Sequence, residues 1–206
     1  MVEFPDTPRY LALGDSYTHG EGVAAGERWP EQLATALRRE SIDMGEVRTV
    51  ARTGWTTQEL AQGMEGESLQ APYDLVSLQI GVNDQYRGQD VDAYLSSFRT
   101  LLARAVALAG DRAGHVLVVS IPDWGHTRFA REQGRDGARV ARELDAYNMA
   151  ARGETMRRGA RWIDITPLSR RAPGWIGPDG LHPTAPQYTA WVELILPEAR
   201  SVLAPS

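Results

Sequence analysis

Short apolar runs alternate with amphipathic stretches along most of this chain, and no other feature constrains its fold as strongly. Runs of strand length lie at Tyr10–Gly14, Val47–Ala51, Asp74–Ile80, His115–Ile121 and Arg161–Ile165, each stopping near Gly, Pro or a polar residue. Helical periodicity fills the intervals, at Trp29–Glu40, Thr57–Gly63, Val91–Gly110, Gly137–Arg158 and Thr184–Leu203. Strand, helix and strand in repeated succession build a parallel sheet, because the crossover packs back onto the sheet with one hand. The expected fold class is therefore α/β with a five-stranded parallel sheet. A length of 206 residues, with no repeat, linker or low-complexity tract, fits one domain over residues 1–206.

In such a sheet, ligands gather in the loops at the carboxyl ends of the strands, so the strand exits are where chemistry belongs. Composition narrows which chemistry. The chain has no cysteine, which removes disulfides, thiolate nucleophiles and cysteine-held metals. Its formal charge of -5 and its interleaved arginines give no basic stripe, so nucleic acid is not an expected partner. The start, Met1–Asp6, lacks the basic and apolar regions of a signal peptide, and no run approaches membrane-spanning length. A cytoplasmic location without stable membrane association is the resulting expectation.

Three strand exits and one pre-helix loop carry candidate groups. The first strand stops at Gly14-Asp15-Ser16, where a serine hydroxyl at the rim could act as a nucleophile if a neighbouring base took its proton. The second exits into Arg52-Thr53-Gly54-Trp55, where a glycine lets the backbone N–H approach a ligand. After the third, Gly81-Val82-Asn83-Asp84 places an amide where an oxyanion donor is needed. Before the last helix, Asp179-Gly180-Leu181-His182 spaces a carboxylate three residues ahead of an imidazole, so one ring nitrogen can be held while the other faces a serine. Each segment alone also reads as an ordinary turn. Their joint placement at the rim of one parallel sheet favours the chemical reading.

These blocks, in this order, resemble the SGNH hydrolases, also called GDSL-type esterases and lipases. The match runs from Ser16 to His182, with Tyr17 standing where the family name has leucine. The resemblance implies a three-layer α/β/α sandwich of flavodoxin-like type. It implies Ser16 as nucleophile, His182 as base and Asp179 as its partner, with an oxyanion hole from the Ser16 and Gly54 N–H groups and the Asn83 side chain. The implied activity is cleavage of carboxylic esters through an acyl-enzyme, with a small-molecule ester as partner and no cofactor or metal ion.

Asp123-Trp124-Gly125-His126 repeats the Asp-x-x-His spacing after the fourth strand, so spacing alone does not choose the base. Position after the final strand, the adjoining Pro183 and the family order favour His182. His115 is expected to open a strand, and His19 to border the cleft. Pocket walls are expected from Trp55, Tyr86, Arg87, the 122–135 segment with Trp124, His126 and Phe129, and the 171–176 segment with Trp175. Short acyl or acetyl esters, including acetylated carbohydrates, are the leading substrate class, ahead of lysophospholipids and thioesters. The alternatives are acyl transfer to another acceptor, an inactive ligand-binding domain on the same scaffold, and nucleotide binding at Gly20–Ala25. The last has a Gly-x-Gly-x-x-Ala spacing that starts too far from the strand end for a dinucleotide turn.

Overall fold

The computed structural model describes residues 7–171 and 175–204. The start Met1–Asp6 and residues 172–174 of the expected 171–176 pocket segment lie outside the described residues. Five parallel strands form one sheet: β1 (Tyr10–Gly14), β2 (Val47–Ala51), β3 (Leu75–Gln79), β4 (Val116–Val119) and β5 (Arg161–Ile163). Their order is β2-β1-β3-β4-β5, the doubly wound flavodoxin-like order, whose direction of winding switches between β1 and β3. Register follows directly, with Gly14 opposite both Ala51 and Gln79. The three central strands are buried along their whole length and the two edge strands only in part. That is the burial expected of a parallel sheet covered on both faces.

The cover consists of two helical layers. On one face lie α2 (Trp29–Arg39) and α9 (Ala185–Leu203), packed against each other; on the other lie α3 (Thr57–Glu65), α5 (Val91–Leu108) and α7 (Gly137–Arg157). Their starts are written in the sequence. Asp90 and Asp136 cap α5 and α7 through their carboxylates, and Thr56 with Glu59 forms a capping box on α3. Buried Leu11, Leu13, Val76, Leu78, Leu117 and their neighbours join the helix faces in one contiguous core. Two buried polar contacts brace this core: within the sheet, Tyr10 Oη of β1 lies 2.9 Å from Ser77 Oγ of β3, and between sheet and cover, Trp29 Nε1–H of α2 donates to Gln79 Oε1 of β3 at 3.1 Å.

Some expected boundaries move. β4 begins at Val116 because His115 closes a 3₁₀ turn over Ala113–His115, and its Nδ1 binds the Asp74 carbonyl at 2.7 Å. β5 ends two residues early, where Ile165 N–H turns to the Ser120 hydroxyl instead of to a strand. Four short helices that the periodicity did not reveal follow strands or loops: α1 (Ser16–His19), α4 (Val82–Tyr86), α6 (Arg128–Glu132) and α8 (Thr166–Arg171). Each spans under two turns, too few residues for a 3.6 period to register.

Candidate active site

The winding of the sheet reverses between β1 and β3, which opens a crevice at their carboxyl ends, and the candidate groups stand around it. Gly14 ends β1 at a place where only a hydrogen fits, since a Cβ there would lie 2.2 Å from Thr18 Oγ1 and 2.6 Å from the Gln79 carbonyl. Asp15 then caps α1 by accepting the Tyr17 N–H at 3.0 Å, which sets Ser16 as the first residue of the helix. Burial, with the nearby Asp84 charge adding to it, pushes the Asp15 carboxyl up to about 7 against that hydrogen bond.

His182 reaches Ser16 from the loop before α9. Its Nε2 lies 2.9 Å from Ser16 Oγ, and its Nδ1 lies 2.6 Å from Asp179 Oδ2. The other Asp179 oxygen accepts the N–H groups of Leu181 at 2.9 Å and His182 at 3.0 Å, so the carboxylate is oriented by its own turn. Burial alone would raise the Asp179 pKa, but these bonds and the imidazole hold it below the ordinary carboxylate value. The loop itself is closed by Gly177 N–H on the His182 carbonyl at 2.8 Å, while the Tyr17 ring packs 5.6 Å from the imidazole. A hydroxyl bonded to an imidazole whose far nitrogen is bonded to an ionised carboxylate can pass its proton to that ring as it attacks.

On the opposite side stand Gly54 and Asn83. Gly54 has φ of +87°, a left-handed conformation that favours glycine, and its carbonyl accepts the Arg87 guanidinium at 2.8 Å. Asn83, in the first turn of α4, donates one amide hydrogen to the Trp55 carbonyl at 2.9 Å, which fixes the amide plane and leaves the second hydrogen for a ligand. Asp84 faces away and anchors α3, accepting the Thr57 hydroxyl at 2.6 Å and its N–H at 3.0 Å.

A cavity of about 150 Å³ opens between these groups; Ser16, Gly54, Asn83 and His182 line it together with Tyr86 and Trp124. Other expected wall residues are placed elsewhere. Trp55 packs its ring on Gly63 of α3 and faces the cavity with neither side chain nor carbonyl. Arg87 lies behind the Gly54 turn, paired with Glu59. Trp175 is partly exposed and receives Thr184 on its carbonyl. His126 sits outside the cavity with Nδ1 4.0 Å from Asp123 and a buried Nε2 that has no hydrogen-bond partner among the described residues. His19 closes α1 and does not line the cavity either. Phe129 contributes to the wall from α6, as the 122–135 segment suggested. Sequence reading missed Tyr17, Thr53, Val82 and Leu181, which also line it. Every one of them is the immediate neighbour of Ser16, Gly54, Asn83 or His182, so adjacency to a candidate group was the available signal.

The sequence matches the model of the GDSL-like lipase/acylhydrolase family over residues 12–190. The chain belongs to the GDSL-like lipase/acylhydrolase family. A GDSL-like hydrolase of this kind is a serine esterase, and ester hydrolysis is its general activity. No curated protein matches the sequence. Among solved structures, a lipase/acylhydrolase from Enterococcus faecalis superposes with a TM-score of 0.72 at 21% identity, over 97% of this chain and 98% of that one. The psychrotrophic esterase EstA from Pseudoalteromonas sp. gives 0.71 at 16% identity, over 95% and 98%. A variant of an acetyl xylan esterase from Geobacillus stearothermophilus gives 0.67 at 18% identity, over 97% of each chain. At such identities the likeness is one of fold. Among the described residues, no helix of this GDSL-like hydrolase is long and apolar enough to cross a membrane.

Proposed function

We propose that this GDSL-like hydrolase cleaves carboxylic esters of short acyl groups in two steps through an acyl-enzyme on Ser16. The observation that carries the reading is the hydrogen-bonded series Asp179, His182 and Ser16 at the mouth of a small, largely apolar cavity. Ser16 Oγ attacks the ester carbonyl as its proton passes to His182 Nε2. The Ser16 and Gly54 N–H groups and the free Asn83 amide hydrogen receive the charge that develops on the carbonyl oxygen. His182 returns the proton to the departing alcohol, and water, deprotonated by the same ring, then releases the acyl group. Acetylated carbohydrates fit a small acyl site, and the fold neighbour described as an acetyl xylan esterase supports including them in the substrate panel.

Steady-state and burst kinetics on p-nitrophenyl acetate and butyrate test this. The expected result is a burst of p-nitrophenol that Ser16→Ala abolishes, with turnover lowered on the order of 10⁴-fold or more. The Pseudoalteromonas esterase is described as inhibited by monoethylphosphonate, so a phosphonate ester is the appropriate trap. Mass spectrometry should place the adduct on Ser16. An adduct on another serine, or full activity in Ser16→Ala, refutes the assignment. Product analysis with added alcohols separates hydrolysis from acyl transfer.

A further inference from the structure

The cavity beside Ser16 is small and one of its walls is held by buried hydrogen bonds, and both properties bear on which acyl group enters. At about 150 Å³, and partly open to solvent, it has the volume of the apolar cavity in a protein core that accommodates benzene, a body of six carbon atoms. Val82, Tyr86, Trp124, Phe129 and Leu181 supply its apolar walls. A second, more polar cavity of about 470 Å³ lies on the other side of His182, between Glu21, Glu27 and Thr184. The departing alcohol must lie beside the ring that protonates it, so the polar space suits the alcohol and the apolar one the acyl chain.

Trp124 forms a part of the acyl wall that is buried and fixed by hydrogen bonds. It is 2% exposed, although it faces the cavity. Its indole N–H donates to Gln85 Oε1 at 2.9 Å, and Gln85 Nε2 in turn donates to Glu143 Oε2 at 2.7 Å. Glu143 is held by Arg139 at 2.7 Å. Swinging the indole aside would strand a buried donor and a buried amide together, so the relay opposes any widening of the cavity by a longer chain. The backbone is pinned as well, with the Thr127 hydroxyl on the Trp124 carbonyl at 2.7 Å and Asp123 N–H on Ser169 at 2.9 Å. Tyr86 meets the indole edge-on at a centroid distance of 5.5 Å and Phe129 closes the third side at 6.1 Å.

We infer that Trp124, locked by the Gln85–Glu143 relay, sets the upper limit on acyl length and confines this enzyme to acyl groups of about six carbon atoms or fewer. The inference rests on the proposed acyl-enzyme reading of the same site. Its test holds the leaving group constant and varies the acyl group, measuring kcat/KM for p-nitrophenyl esters from acetate through decanoate. Wild type should fall sharply beyond hexanoate. Trp124→Ala should raise the octanoate-to-acetate ratio at least about tenfold, the scale of discrimination that one or more methylenes provide in an apolar pocket. Gln85→Met keeps the volume but removes the relay, and should raise the same ratio by a smaller factor. Trp124→Phe serves where the alanine variant fails to fold, judged by circular dichroism, and should also raise the ratio. A wild-type preference for octanoate or decanoate, or a ratio within twofold of wild type in the folded Trp124 variants, overturns the inference and leaves the catalytic reading standing. Ser16→Ala run alongside separates the two: hydrolysis that survives it, or no turnover of any ester by wild type, overturns the catalytic reading and the inference with it.

Discussion

Two Asp-x-x-His segments with identical spacing lie in neighbouring loops, and only one of them makes an aspartate–histidine couple. In Asp179–His182 the carboxylate and Nδ1 are 2.6 Å apart; in Asp123–His126 they are 4.0 Å apart. The difference lies in what else each carboxylate holds. Asp179 spends one oxygen on two N–H groups of its own turn, which turns the other oxygen toward the ring. Asp123 accepts the Gly125 N–H on one oxygen and the Arg170 guanidinium at 2.7 Å on the other, and that guanidinium also binds Asp145. A carboxylate bonded only to neutral donors still has charge to offer an imidazole, whereas one already paired with arginine is spent on structure. Exposure follows the same division, with the side chain of Asp179 43% exposed and that of Asp123 only 4%.

The sharpest way to break this comparison is to remove each histidine. His182→Ala deletes the group 2.9 Å from Ser16 Oγ, and kcat on a p-nitrophenyl ester should fall on the order of 10⁴-fold or more. His126→Ala should stay within about twofold of wild type, since that ring stands outside the cavity. Equal losses would mean that the two couples are interchangeable, and the geometric distinction would collapse.

Removing the charge from each aspartate gives a smaller contrast and divides it between activity and stability. Asp179→Asn should lower kcat on the order of 10²–10⁴-fold, because a neutral amide neither favours the imidazolium nor holds the ring in the required tautomer. The lower end is expected, since solvent reaches this carboxylate. Asp123→Asn should leave kcat near wild type but cost about 2 kcal/mol in urea unfolding, as the buried partner of Arg170 is lost. A large loss of kcat in Asp123→Asn at unchanged stability would assign it a role that its contacts do not suggest.

The same contrast explains what the sequence could and could not disclose. Ser16 and Asn83 were legible because a continuous apolar strand must stop somewhere, and the residues that stop it in a parallel sheet face one crevice, whereas His182 was legible from its Asp-x-x-His spacing just before the last helix. Asp179 and Asp123 were indistinguishable by spacing, because Arg170 and Asp145, which decide the matter, come from α8 and α7, far from Asp123 in sequence. Trp55 and Arg87 were expected as walls, yet Trp55 acts through its carbonyl and Arg87 braces the Gly54 carbonyl from behind. Nothing in a residue's type tells whether its backbone or its side chain will be used. The short helices α4 and α6 escaped for a related reason: their positions are set by Asp84 on Thr57 and by Phe129 N–H on the Gly180 carbonyl, contacts between distant segments.

A third aspartate carries a charge with the opposite bearing on stability. The Asp15 carboxyl is raised to about 7 while Asp179 lies below its ordinary value of 3.8, and in the unfolded chain both titrate near that ordinary value. Between 3.8 and about 7 the folded protein keeps the Asp15 proton that the unfolded chain has released, so each increment of pH across that window costs stability. The contribution of Asp15 is complete below its unfolded value and gone once pH has passed its folded one. Asp179 behaves in reverse, stabilising above its unfolded value and losing that contribution as pH falls through its depressed folded one. Urea unfolding free energy should therefore decline from about pH 4.5 to pH 8, and Asp15→Asn, which preserves an acceptor for the Tyr17 N–H, should flatten the decline. Asp179→Asn should leave the slope in that window as it is. Superimposable slopes for wild type and Asp15→Asn would show that the buried carboxyl beside Ser16 is not the group that titrates there.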